Sequence, residues 1–130
     1  MSENRIITNQ AELKQRFKEF SLRVIRLYTK LPKDNAVAQV IGRQVLRSAT
    51  SVGANYIEAS RSRSKAEFVA KTGDSLKEIA ETQYWLELLV ESGVVTDKKM
   101  ADLLDENSQL TAILTSINKR SKKEKEETDA

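Results

Sequence analysis

Three observations predict an all-α protein, an antiparallel up-down-up-down four-helix bundle. Apolar residues recur at steps of three and four through four long stretches, the period of a helix with one buried face. A single proline and four glycines punctuate all 130 residues. The links between stretches are short, so successive helices must lie side by side and run in opposite directions.

The first helix is predicted over about 9–31. Asn9 precedes the apolar run as N-cap, with Glu12 three residues on as its capping-box partner. Leu13, Phe17, Phe20, Val24, Leu27 and Leu31 then alternate steps of four and three, a heptad stripe. Pro32 ends it, because proline disfavours helical geometry in the residue before it. The second helix is predicted over 34–60 with Asp34 as N-cap. Val37, Ile41, Val45, Ala49, Val52 and Tyr56 form its inner face, with Val40 and Ala59 alongside. Gly42 and Gly53 interrupt this helix, each costing about 1 kcal/mol relative to alanine. Such glycines imply either close approach of a neighbouring backbone or a bend.

Ser64 and Glu67 form a second capping box and open a third helix over 65–92, with Gly93 as its left-handed stop. Phe68, Thr72, Leu76, Ile79, Gln83, Leu86 and Val90 are its predicted inner face. Thr96 caps a fourth helix over 97–118, which carries Met100, Leu103, Leu104, Leu110, Ile113, Leu114 and Ile117. Residues 1–118 thus make one domain. The remainder, 119–130, is almost wholly charged and is expected to fray.

Composition narrows the function classes. The chain has no cysteine and no histidine, which removes disulfides, thiolate chemistry and the commonest metal ligand. No apolar run approaches the roughly 18 residues of a membrane span. The opening "MSENRIITNQ" lacks a signal-peptide pattern, so a cytoplasmic protein with no membrane association is expected. Glu78 and Glu81, like Glu124 and Glu127, have Glu-x-x-Glu spacing, but on faces read as solvated or in the tail. There is no glycine-rich phosphate loop and no base for the serines. The expectation is therefore a protein that is not an enzyme, with no catalytic residue, no metal and no cofactor.

Net charge is only +3, yet its distribution is uneven. Residues 1–33 carry eight Lys/Arg against three Glu, and residues 66–91 carry two Lys against six acids. Opposed segments of this kind favour self-association as readily as polyanion binding. Arg61, Arg63 and Lys65 crowd the turn "SRSRSK", with Arg43 upstream, and these four are the candidate contacts to RNA or DNA. Further basic residues, Arg16, Arg23 and Arg26, lie on the first helix.

Two features of the helix surfaces call for partners. On the third helix, Trp85 points roughly opposite Leu86 and Val90, and Leu88 and Leu89 spread on either side of it. They either close one end of the core or form an exposed apolar patch, a subunit interface anchored by Trp85. On the second helix, Gln44, Arg47, Ser51, Asn55 and Glu58 run as a polar seam beside the apolar face. A buried or half-buried seam must be hydrogen-bonded, and an arginine fork suits carboxylates on another helix of this bundle or of a neighbour. The seam is read as architectural, so that Arg47→Ala is expected to weaken the fold or its oligomer.

These residues together resemble the bacterial four-helix-bundle family of 23S rRNA intervening-sequence proteins. The family pattern has Gln-x-x-Arg, a Ser before Asn-x-x-Glu, a serine-rich turn followed by Phe, and a Glu-x-x-x-Thr-x-Tyr-Trp-Leu segment. Here it falls on Gln44, Arg47, Ser51, Asn55, Glu58, Ser64, Phe68, Glu78, Thr82, Tyr84, Trp85 and Leu86, with the Leu31-Pro32 turn also matching. Ala59 and Ser60 follow Glu58 where one version of the family ends the segment in glycine. The resemblance spans about residues 13–117 and implies a homopentameric ring. A more distant similarity, to the accessory variability protein of diversity-generating retroelements, implies nucleic-acid binding. The expected function is a non-enzymatic homo-oligomeric scaffold that binds RNA or DNA through basic surfaces. The alternative is an assembly module whose partners are proteins alone.

Overall fold

The computed structural model describes residues 9–129, and all secondary structure among them is helical: α1 (Gln10–Lys30), α2 (Ala36–Ser60), α3 (Lys65–Glu91) and α4 (Asp97–Asp129). Each of α1, α2 and α3 packs against the next helix in the chain, while α1 and α4 meet only loosely, which closes an antiparallel four-helix bundle. Residues 1–8 of the predicted domain and Ala130 of the predicted tail lie outside the described residues.

Local chemistry sets the helix ends. The Asn9 side chain accepts the Glu12 amide at 2.8 Å, and Leu31 turns extended ahead of Pro32. The cap of α2 is Asn35 rather than Asp34: its Oδ1 accepts the Ala38 amide at 3.0 Å. At α3 the Ser64 hydroxyl accepts the Glu67 amide at 3.1 Å. The Glu67 carboxylate reaches back to the Arg63 amide at 3.0 Å, one residue beyond the Ser64 amide that a reciprocal capping box would use. Gly93, at φ 84°, takes the left-handed position after α3. Its amide donates to Val90 and the Val94 amide donates to Leu89, the doubled closure that satisfies two end carbonyls. Thr96 caps α4 through the Lys99 amide at 3.2 Å.

The core runs the length of the bundle. Leu13, Phe17, Phe20, Val24 and Leu31 of α1 are buried as the heptad stripe requires, and the Phe17 and Tyr56 rings lie 5.1 Å apart. The inner face of α2 is rotated from the predicted one at its start. Val37 and Val40 stay exposed, while Ala38 and Gly42 go inside. Close approach is the reason: a Cβ on Gly42 would lie 2.5 Å from the Leu31 side chain, and one on Gly53 would lie 3.2 Å from the Phe17 Cβ. These glycines admit α1 and the first residue beyond it.

α3 shows the same preference for small residues. Thr72, Ser75 and Thr82 are fully buried with Ile79, Leu86 and Leu89, whereas Phe68, Gln83 and Val90 are only half-buried. Ser48, Thr72, Ser75, Thr82, Asn107 and Asn118 each make at least one bond, although the Asn107 Oδ1 has no partner among the described residues. Ser48 and Thr82 hydroxyls meet at 2.8 Å, and Ser75 donates to the Val52 carbonyl at 2.8 Å. Across the α3–α4 contact, Asn118 donates to Thr72 and to the Val69 carbonyl, and Asn107 donates to Gln83 at 2.9 Å. Such pairing offsets the roughly 1–3 kcal/mol that an unmade buried bond costs.

α4 does not stop at 118. It continues through the charged segment to Asp129, with Asn118 and Ser121 still buried at the α3 contact. Opposite charges hold the extension: Lys125 pairs with Asp129 one turn on at 2.6 Å, and Glu124 pairs with Lys65 at 2.8 Å.

Candidate functional site

The polar seam is real but lies at the surface. Arg47 is about half exposed and bridges to α3, with Nη2 2.7 Å from Glu81 and Nη1 3.7 Å from Glu78. Glu58, also exposed, takes Lys71 at 2.7 Å. That contact, with its hydrogen bond first and its charge second, raises the Lys71 pKa above the ordinary lysine value. Ser51 donates to the Arg47 carbonyl at 2.8 Å. Gln44 and Asn55 are half-buried and carry no side-chain hydrogen bond among the described residues. The seam is thus a set of clasps between α2 and α3 within one chain. Glu78 and Glu81, read from the sequence as solvated, are the acidic half of it.

The buried network sits one residue along from that seam, on Ser48, Ser75 and Thr82. Sequence reasoning passed over it because small hydroxyl side chains add nothing to an apolar period. The signal available was their spacing: Ser48 lies on the same helical stripe as Val45 and Val52, and Thr82 on that of Ile79 and Leu86.

The apolar shoulder is also rearranged. Leu89, predicted as an interface residue, is fully buried in the chain's own core, and its carbonyl accepts the Val94 and Val95 amides. It follows Leu86 by three residues and therefore turns inward with it. Trp85 and Leu88 are half-buried, and the Trp85 indole N–H reaches Glu81 at 3.5 Å. Tyr84, stacked edge-on against Trp85, is 55 % exposed. The clasps between Arg47 and Glu81 and between Glu58 and Lys71 fix the antiparallel register. Val40 lies two turns before Arg47 on α2, and Trp85 one turn after Glu81 on α3. Val40, 53 % exposed, therefore lies on the same side of the bundle as Trp85, and Val37, 49 % exposed, stands nearly one turn before it.

The four candidate nucleic-acid contacts do not form one cluster. Arg61, Arg63 and Lys65 share the α2–α3 turn, and all three are exposed. Lys65 is engaged by Glu124, whose carboxyl its hydrogen bond and charge hold below the ordinary value. Arg43 is exposed on α2, about 27 Å from the turn along the helix axis.

A second basic region lies at the opposite end of the bundle. Arg23, Arg26 and Lys30 of α1 and Lys99 of α4 line a cleft of about 550 Å³ beside the two links that join the helices there. Leu27, Leu31, Val95, Met100 and Leu103 supply its floor, and Asp102 is its one acid among the described residues. Further along the α1–α4 seam, Arg16 grips Glu106 at 2.8 and 2.9 Å and Gln109 at 2.7 Å. The Glu106 hydrogen bond leads in raising the Arg16 pKa above its ordinary value.

Among the described residues no acidic cluster converges to hold a metal ion, and no helix is long and apolar enough to cross a membrane. What the fold presents is helix faces: a clasped seam, an apolar shoulder and two basic regions. The family model for 23S rRNA-intervening sequence proteins matches residues 9–116, and the chain belongs to that family. It is similar to a crystal structure of a protein of unknown function from the S23 ribosomal protein family of Bacteroides thetaiotaomicron. The two are 36% identical with a TM-score of 0.77, over 84% of this chain and 96% of that one. No curated protein matches the chain.

Proposed function

We propose that this chain is a non-enzymatic cytoplasmic scaffold that assembles with copies of itself and binds RNA or DNA through basic surfaces. Five copies is the number that the family resemblance implies. The observation that carries the reading is the apolar shoulder. Val37 and Val40 on α2 and Tyr84 beside Trp85 on α3 remain about half exposed in a chain that is 32% charged, and exposed apolar surface of this kind marks association. Free cations at Arg61 and Arg63, and the family's link to sequences intervening in 23S rRNA, support the nucleic-acid half. The shoulder equally favours the second reading, an assembly module whose partners are proteins alone.

Purification without nuclease separates them. The scaffold reading expects a native mass several times the 14.7 kDa of one chain, with co-purifying nucleic acid released as salt rises. Assembled particles free of nucleic acid, with no affinity for added RNA or DNA at low salt, favour the protein-only module. A single-chain native mass at micromolar concentration, with the Trp85 indole freely quenched by solvent, overturns both readings.

A further inference from the structure

The basic turn and the basic cleft differ in how much of their charge is already spent. At the turn, Lys65 is held by Glu124. In the cleft, Arg23, Arg26, Lys30 and Lys99 have no ion-pair partner among the described residues, and a single acid, Asp102, faces them. Uncompensated like charges repel one another, so their convergence on one concave site favours a bound anion.

We infer that this cleft between α1 and α4 binds the phosphodiester backbone of a single nucleic-acid strand. The inference rests on the nucleic-acid reading above and assigns it a place. Arg23, Arg26 and Lys30 follow one another at three and four residues, so they share one face of α1 and span about 10 Å of its axis. That row tracks more than one phosphate, and Lys99 faces it from α4. The accessible apolar lining, Leu27, Pro32 and Val94, offers aliphatic surface on which a base can rest with little preference among bases. A row of cations along a groove supplies the backbone-tracking part of single-strand binding. At about 550 Å³ the cleft admits a strand, whereas a duplex would have to lie across its rim.

The test compares two variants of the full-length protein against a short fluorescein-labelled oligouridylate and a duplex of equal length. One variant carries Arg23→Glu with Lys30→Glu, and the other carries Arg61→Glu with Arg63→Glu. The cleft variant is expected to bind the oligouridylate at least about tenfold more weakly, with a salt dependence reduced by about 0.7 per lost phosphate contact. The turn variant, which also loses basic charge, is expected to bind more weakly than the parent but at least about threefold more tightly than the cleft variant. Lys99→Gln, at an exposed position, provides a milder change that leaves the fold intact and should shift affinity in the same direction. Loss in the turn variant with none in the cleft variants overturns the cleft while leaving the nucleic-acid reading standing. Tighter binding of the duplex overturns the single-strand assignment. A parent protein that binds neither probe at low salt overturns both.

Discussion

The α2–α3 pair and the α1–α4 pair solve the same packing problem in opposite ways. Between α2 and α3 the contact is made by small residues, with Ser48 against Thr82 and Ser75 on the Val52 carbonyl. Two surface clasps, Arg47 to Glu81 and Lys71 to Glu58, run along its outer edge. Between α1 and α4 there is no such row. One long, half-buried link, Arg16 to Glu106 and Gln109, spans the seam, and beyond it the helices part into the basic cleft. Small side chains let backbones approach and exclude ligands. Long charged ones hold helices apart and leave concave surface between them. Stability and binding capacity are therefore expected to sit on different sides of this bundle.

The largest test of that division is Leu89→Ala. If Leu89 is core, the truncation costs about 2–5 kcal/mol in urea melts and leaves self-association unchanged once the protein is folded. Little loss of stability together with loss of assembly would return Leu89 to an interface.

A paired comparison sharpens the contrast between the two seams. Arg16→Ala leaves Glu106, whose side chain is 16% exposed, without its partner and should cost about 1.5–3 kcal/mol. Arg47→Ala removes a clasp between half-exposed side chains and should cost at most about 1 kcal/mol. That is a smaller effect than the sequence-based reading of a buried seam implies. Equal costs in thermal or urea melts would show that exposure does not separate them.

The smallest effect is at the end of α4. Glu124 has a folded-state pKa below its ordinary value because of its hydrogen bond and charge contact with Lys65. The contact therefore stabilises the helix end above the ordinary carboxylate pKa, and that contribution is lost as pH falls through the depressed one. Acidification should loosen 119–129 locally, read as faster amide exchange there with the core unaffected. Glu124→Gln should show that faster exchange already at neutral pH.

Much of this was legible in the residues because it depends on neighbours in the chain. Asn9, Ser64, Gly93 and Thr96 end helices by bonds that close within a few residues, and the heptad of α1 predicts its buried face. Two local readings failed by small margins. Asp34 and Asn35 are both able caps, and which one starts α2 depends on the path of the turn after Pro32. The charged segment after 118 has little apolar content and reads as tail, yet Lys125–Asp129 and Lys65–Glu124 keep it helical. Of the seam, Arg47, Ser51 and Glu58 make the bonds that the sequence reading called for and Gln44 and Asn55 make none among the described residues, while the partners Glu78, Glu81 and Lys71 were not legible as such. The cleft was visible only as scattered cations.

What the sequence determined by itself was the number of helices, three of their four N-caps, the heptad face of α1 and the family pattern, since each rests on spacing along one chain. Tertiary structure alone decided the rotation of α2, the burial of Ser75, the exposure of Val40, and the meeting of Lys99 with Arg23, Arg26 and Lys30. The physical reason is that hydrophobic period measures which side prefers to leave water, whereas the distance between two backbones selects for size. Where glycine, alanine and serine let helices come close, the small side is the inside, and only the packed partner reveals which side that is.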